Sequence, residues 1–169
     1  MKKSNLEIAG AFAFSVEKNA DERGSLVRLF DSIEFFPNFK VVQASYVENS
    51  FAGTLRGLHF QTGQHAENKI VQCIKGKIFD VIVDIDEKSI TYGRYCSIHL
   101  GPLEEFQGIF IPKSCAHGYV TLSDKTDVSY FMDKEYSSEN AKGMKWDDPM
   151  ISIIWPMTPI RISKRDTSW

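Results

Sequence analysis

Lys77-Ile78-Phe79-Asp80-Val81-Ile82-Val83-Asp84 is the clearest β-rich run in the chain. Ile78, Asp80, Ile82 and Asp84 fall on one side of an extended chain, and Phe79, Val81 and Val83 on the other, a period of two that belongs to a strand. Gly76, between Lys75 and Lys77, reads as the turn leading back to a second run at residues 69–74. Working outward, further β-rich runs are predicted at residues 41–47, 54–59, 95–100, 108–111, 118–122 and 128–132. Residues 31–36 could form a helical turn, and residues 137–142 are polar enough for a loop or short helix. Many short strands and almost no long helix predict an all-β chain, an antiparallel barrel or double-sheet jelly roll. Small barrels hold ligands in the mouth or interior, so site residues should point inward from strands.

The chain has 169 residues, enough for one domain spanning 1–169 and for a core that needs no disulfide. No internal repeat or Pro/Gly/Ser linker suggests a boundary. Twenty basic residues against 22 acidic ones leave a formal charge of −2, which argues against a broad nucleic-acid-binding surface. An anionic ligand would have to be held by a few local Arg and Lys. Cys73, Cys96 and Cys115 are odd in number, widely spaced and without a CxxC pair, a pattern of reduced thiols in a cytoplasmic protein. No apolar stretch is long enough for a signal peptide or membrane span, so the expected location is the cytoplasm.

Of the four histidines, His65 lies in a loop and His99 near a strand end, where a structural role is the simpler reading. His59 and His117 sit in Gly-containing segments, Leu55-Arg56-Gly57-Leu58-His59-Phe60-Gln61 and Ala116-His117-Gly118-Tyr119, and Gly beside a strand often marks close approach by a ligand. Imidazole is the usual general base near neutral pH. Lys69 follows His59 by ten residues across a turn, so two adjacent antiparallel strands could bring both to one cavity. Arg23 and Arg56 each precede a Gly, where a guanidinium could grip phosphate in bidentate fashion. Taken singly, Lys69, Arg23, Arg56 and Arg165 are surface charges, and Tyr130 and Tyr136 are core or interface aromatics.

Taken in order, these residues resemble the dTDP-4-dehydrorhamnose 3,5-epimerase family of cupin sugar-nucleotide epimerases. The resemblance runs from Asp21-Glu22-Arg23-Gly24 to Ile162-Ser163-Lys164-Arg165-Asp166, with Trp146-Asp147-Asp148-Pro149 and Ile154-Trp155-Pro156 between. It implies a cupin-type jelly roll without cofactor or metal, and a homodimer in which the segment around Arg23 completes the neighbour's site. It implies His59 as general base, Asp166 as the carboxylate orienting it, Lys69 beside the substrate keto oxygen and Tyr130 as proton donor. Tyr136 would stack on the nucleotide base, Arg23 and Arg56 would bind phosphate, and His117 would contact the ligand. Gln43 and Ser45 stand where the family has Gln-x-Asn, Gln72 where Arg is common, Arg28 where many members have Glu, and Arg165 where Lys is usual. The resemblance therefore points to inversion at C3, C5 or both of a nucleotide-linked 4-keto-6-deoxy sugar, with CDP- or GDP-linked sugars as alternatives to dTDP.

Two other classes compete. A metal-dependent cupin isomerase or dioxygenase supplies a His-x-His pair, a Glu and a later His. Here His59-Phe60-Gln61 lacks the second ligand, leaving His59, Glu67 and His117. A non-catalytic sugar-binding cupin would not need a base, its carboxylate, a cation and a Tyr together.

Overall fold

A computed structural model describes residues 1–169. Its strands are β1 (Lys2–Asn5), β2 (Phe12–Ser15), β3 (Lys18–Asp21), β4 (Gly24–Val27), β5 (Gln43–Asn49), β6 (Thr54–Gln61), β7 (Lys69–Lys75), β8 (Ile78–Asp84), β9 (Tyr95–Leu100), β10 (Gly108–Ile111), β11 (Cys115–Thr121), β12 (Thr126–Met132), β13 (Ala141–Gly143) and β14 (Arg161–Ile162). The only helical element is a 3₁₀ turn, Gly63–His65. One sheet runs β1-β2-β10-β7-β12-β5 and the other β13-β6-β11-β8-β9. All pairings in these two paths are antiparallel, β14 joins β6 in parallel, and β3 with β4 forms a separate ribbon. This is the all-β jelly roll expected.

Every residue of β8 is buried, so its alternation separates two cores rather than core from solvent. Ile78 and Ile82 face inward with Val71, Ile109, Tyr119 and Val128. Phe79, Val81 and Val83 face outward, where Ile151, Ile153, Trp155 and Met157 cover them. The Trp146 and Trp155 motifs serve this cover, since the Trp155 indole N–H donates to the Trp146 carbonyl at 2.9 Å. A third cluster, built on Phe14, Phe36, Phe39 and Ile70, closes the outer face of the first sheet. Each Val, Leu or Ile so buried contributes about 1.5–3 kcal/mol over exposure.

One reading of the sequence needs correction, and two are sharpened. Gly76 (φ +77°) does make the turn after β7, but β7 and β8 lie in different sheets, so the turn crosses the sandwich. Likewise β6 and β7 are not adjacent strands; they face each other across the barrel. Lys69 reaches His59 through the interior, its ammonium donating to the His59 carbonyl at 3.3 Å. Of the loop or short helix open to residues 137–142, the structure takes the loop, a turn that runs into β13.

Gly57 and Gly118 serve close approach to each other, not to a ligand. A Cβ on Gly118 would sit 2.8 Å from the Arg56 carbonyl and 3.0 Å from the Gly57 Cα. Gly118→Ala is therefore expected to cost about 1–3 kcal/mol by overpacking, read as a lower urea midpoint at unchanged m-value.

Candidate active site

The open mouth between the sheets holds two adjoining cavities of about 380 Å³ and 740 Å³, both lined by Val47, His59, Tyr130 and Arg165. His59 and Tyr130 come from opposite sheets, on β6 and β12. Tyr130 is in register with Ser45 on β5, and Ser45, Gln43, Lys69 and Tyr136 line the first cavity. Arg56 and Asp166 line the second.

His59 Nε2 lies 2.6 Å from Asp166 Oδ1, and the Gly57 N–H donates to Asp166 Oδ2 at 3.3 Å. β13 pairs with β6 at residues 59–61 and β14 at residues 54–55, and Asp166 reaches into the interval between them. The carboxylate is buried (4% exposed), while 41% of the imidazole surface remains open to the cleft. With Nε2 engaged, Nδ1 is the nitrogen left to take a proton. Desolvation holds the His59 pKa below its ordinary value of 6.5; Asp166 works against it, and the charges of Lys69 and His117 add to the lowering.

Lys69 is buried and bonded to Glu67 Oε1 at 3.0 Å. Gln61 donates to the other Glu67 oxygen and to the Glu135 carbonyl, and accepts the Ser137 N–H at 2.6 Å. Glu67 and Gln61 thus fix the ammonium and the rim of the cleft. Neither role has a motif in the sequence, where Glu67 stands out only as a possible metal ligand. The proximity of Glu67 to Lys69 in the chain was the one available signal. Burial pushes the Tyr130 phenol well above its ordinary pKa, with the neighbouring Tyr119 and Asp80 adding to it, so it stays protonated at neutral pH.

The Tyr136 hydroxyl accepts from Arg165 at 3.2 Å and its N–H donates to Gln43 Oε1 at 3.1 Å. Arg56 is steadied by Asn49 Oδ1 at 2.9 Å. Lys134, Lys142 and Arg161 also line the two cavities and were not foreseen, having no motif around them.

Two expected residues stand elsewhere. His117 is in register opposite His59, but its ring turns inward to the fully buried Asp80, 2.8 Å away, and lines neither cavity. It supports Tyr130 from behind, with ring centroids 6.0 Å apart. Arg23 projects on the β3–β4 ribbon, its side chain 83% exposed and paired only with Asp21. The three possible metal ligands do not converge: His59 is bonded to Asp166, Glu67 to Lys69 and His117 to Asp80. The three cysteines are free, and burial pushes the thiols of Cys73 and Cys115 up to about 12.

A family model for dTDP-4-dehydrorhamnose 3,5-epimerase matches residues 5–169. The chain belongs to this family. It is 38% identical over 168 residues to the dTDP-4-dehydrorhamnose 3,5-epimerase of Sinorhizobium fredii, covering 97% of this chain and 86% of that one. Among solved epimerases, the Legionella pneumophila enzyme in complex with dTDP-4-keto-L-rhamnose superposes with a TM-score of 0.91 at 30% identity, covering 99% of this chain and 90% of that one. The Bacillus anthracis enzyme with TDP and PPi bound gives 0.90 at 31%, covering 98% and 95%. The chain is thus an epimerase of the isomerase class with the cupin-like fold of its relatives. No helix is long and apolar enough to cross a membrane.

Proposed function

We propose that this epimerase inverts C3, C5 or both of a nucleotide-linked 4-keto-6-deoxy sugar by proton transfer through an enolate. The observation that carries the reading is the 2.6 Å His59–Asp166 contact at a mouth also lined by Lys69 and Tyr130. A C–H beside a ketone is acidic because the carbonyl oxygen takes up the charge. His59 Nδ1 removes the proton, and Asp166 holds the proton on Nε2 and stabilises the imidazolium. Lys69 meets the negative charge growing on O4, a contact of the kind worth about 3–4 kcal/mol. Tyr130 returns a proton to the opposite face and is then reprotonated from solvent. No oxidant or reductant enters the balance.

Arg56 and Arg165 are assigned to the diphosphate, and Tyr136 to stacking on the base. Gln43 and Ser45 face the sugar, and His117 acts through the cavity wall. Arg23, exposed and lining neither cavity of its own chain, is assigned to the cleft of a second copy in a homodimer acting in the cytoplasm. The nucleotide is decided by incubating the protein with dTDP-, CDP- and GDP-linked 4-keto-6-deoxy sugars in heavy water. Deuterium uptake should favour one nucleotide by kcat/KM, and uptake with none of them would reject the reading.

The lowered His59 pKa sets the pH dependence. The base must be unprotonated, so the acid limb of kcat/KM should have its midpoint below 6.5, with activity complete at neutral pH. Asp166→Asn removes an influence that raises the pKa, so the limb should move to still lower pH. A midpoint above 6.5 in the wild type would contradict the environment described for His59.

A further inference from the structure

Asp166 and Arg165 sit on a short segment with little else to hold it. Upstream, β14 supplies two residues of parallel pairing to β6. The Asp166 N–H donates to Ser163 Oγ at 3.1 Å, and the Thr167 N–H to the Ser163 carbonyl at 3.1 Å. Downstream, Thr167 and Ser168 are exposed, and the next side chain to find cover is Trp169.

The indole lies against Gly143. A Cβ built there would come within 2.3–2.6 Å of ring atoms Cε2, Nε1 and Cδ2. Gly143 is the β13 residue in register with His59 on β6. The other side of this contact is Arg165, whose guanidinium carbon is 5.1 Å from the indole ring and which donates to Tyr136. Trp169 therefore touches the strand beside the base and the arginine shared by both cavities. Its Nε1–H is buried without a hydrogen-bond partner, so the ring's flat surface, not its donor, is what the site uses.

We infer that Trp169 is a positioning residue: packed on Gly143 and against Arg165, it fixes the segment that holds Asp166 on His59 and Arg165 at the cleft. This rests on the epimerase reading for its kinetic consequence only. The geometric consequence, a proton held on His59 Nε2, needs no substrate.

The variants are Trp169→Ala, Trp169→Phe and Gly143→Ala. Gly143 has no positive φ, so Ala fits the backbone and acts as a wedge under the indole. Histidine ¹⁵N NMR of the full chain should show a single Nε2–H tautomer of His59 in the wild type and in Trp169→Phe. It should show mixed tautomers in Trp169→Ala and Gly143→Ala. With a 4-keto sugar nucleotide, kcat should fall roughly 10- to 100-fold in those two, as for a misplaced catalytic group, and KM should rise as Arg165 loosens. Phe should restore most of both. In an Asp166→Asn background Trp169→Ala should add little to the loss in kcat, because both act through the same imidazole. An unchanged tautomer in a folded Trp169→Ala or Gly143→Ala protein would overturn the inference, as would additive kcat losses. If the wild type epimerised no such sugar, the proposed function would fail while the tautomer measurement still judged Trp169.

Discussion

In His59→Ala, hydrogen exchange between solvent and the epimerised carbons should fall to background, a loss of about 10⁴-fold at the upper end for a general base. Nothing else at the mouth can take over. Lys69 is committed to Glu67, and His117 is buried against Asp80. Asp166→Asn should leave KM nearly unchanged and lower kcat by about 10²–10⁴-fold, because the carboxylate acts only through the imidazole it orients. Both are read by proton NMR in heavy water and by steady-state kinetics. Near-normal exchange in His59→Ala would require a different base, with His117, in register opposite His59, the next candidate.

The second large effect separates proton removal from inversion. In Tyr130→Phe the base and its carboxylate are untouched, since Tyr130 reaches the cleft from β12 and Asp166 is bonded to His59 and the Gly57 N–H instead. The enolate still forms, but the acid on the opposite face is gone, so the imidazolium returns a proton to the face it left. Deuterium should therefore wash into the substrate with little product, the product rate falling about 10²–10⁴-fold while exchange persists. If Tyr130 were only a packing residue, exchange and inversion would fall together or hardly change. Equal rates in this variant would make water or Tyr136 the acid.

Much of this arrangement was legible in the sequence, and the parts that were not have identifiable physical causes. The alternation in β8 disclosed a strand because side chains on a pleated chain alternate by necessity. Its apolar residues on both faces are also the mark of a strand buried on both sides, but the run does not say what covers it, since Ile151, Ile153, Trp155 and Met157 arrive from far along the chain. β1 and β3 escaped notice because Lys2–Asn5 and Lys18–Asp21 are exposed throughout and carry no apolar period. Backbone pairing, helped in β1 by the Lys3 ammonium over the Phe12 and Phe35 rings, holds them, and pairing leaves no trace in side-chain type. The sequence offers His59 and Lys69 by residue type and spacing, and Tyr130 and Asp166 by motif resemblance, yet it misleads on the route joining Lys69 to His59, because spacing does not tell a hairpin from a crossing between sheets. The register of β11 placed His117 opposite His59, but its ring follows the buried charge of Asp80, a preference that depends on tertiary packing. Glu67 and Gln61 are ordinary residues until the fold brings them to Lys69.

The most direct test of the central claim is the fate of the hydrogens at C3 and C5 when the wild-type protein turns over a nucleotide-linked 4-keto-6-deoxy sugar in heavy water. Proton transfer through an enolate predicts one solvent deuterium at every carbon that inverts, with the His59→Ala protein inert in the same tube. Inversion with the original hydrogen retained would contradict it, because no base that exchanges with solvent could then have carried the proton.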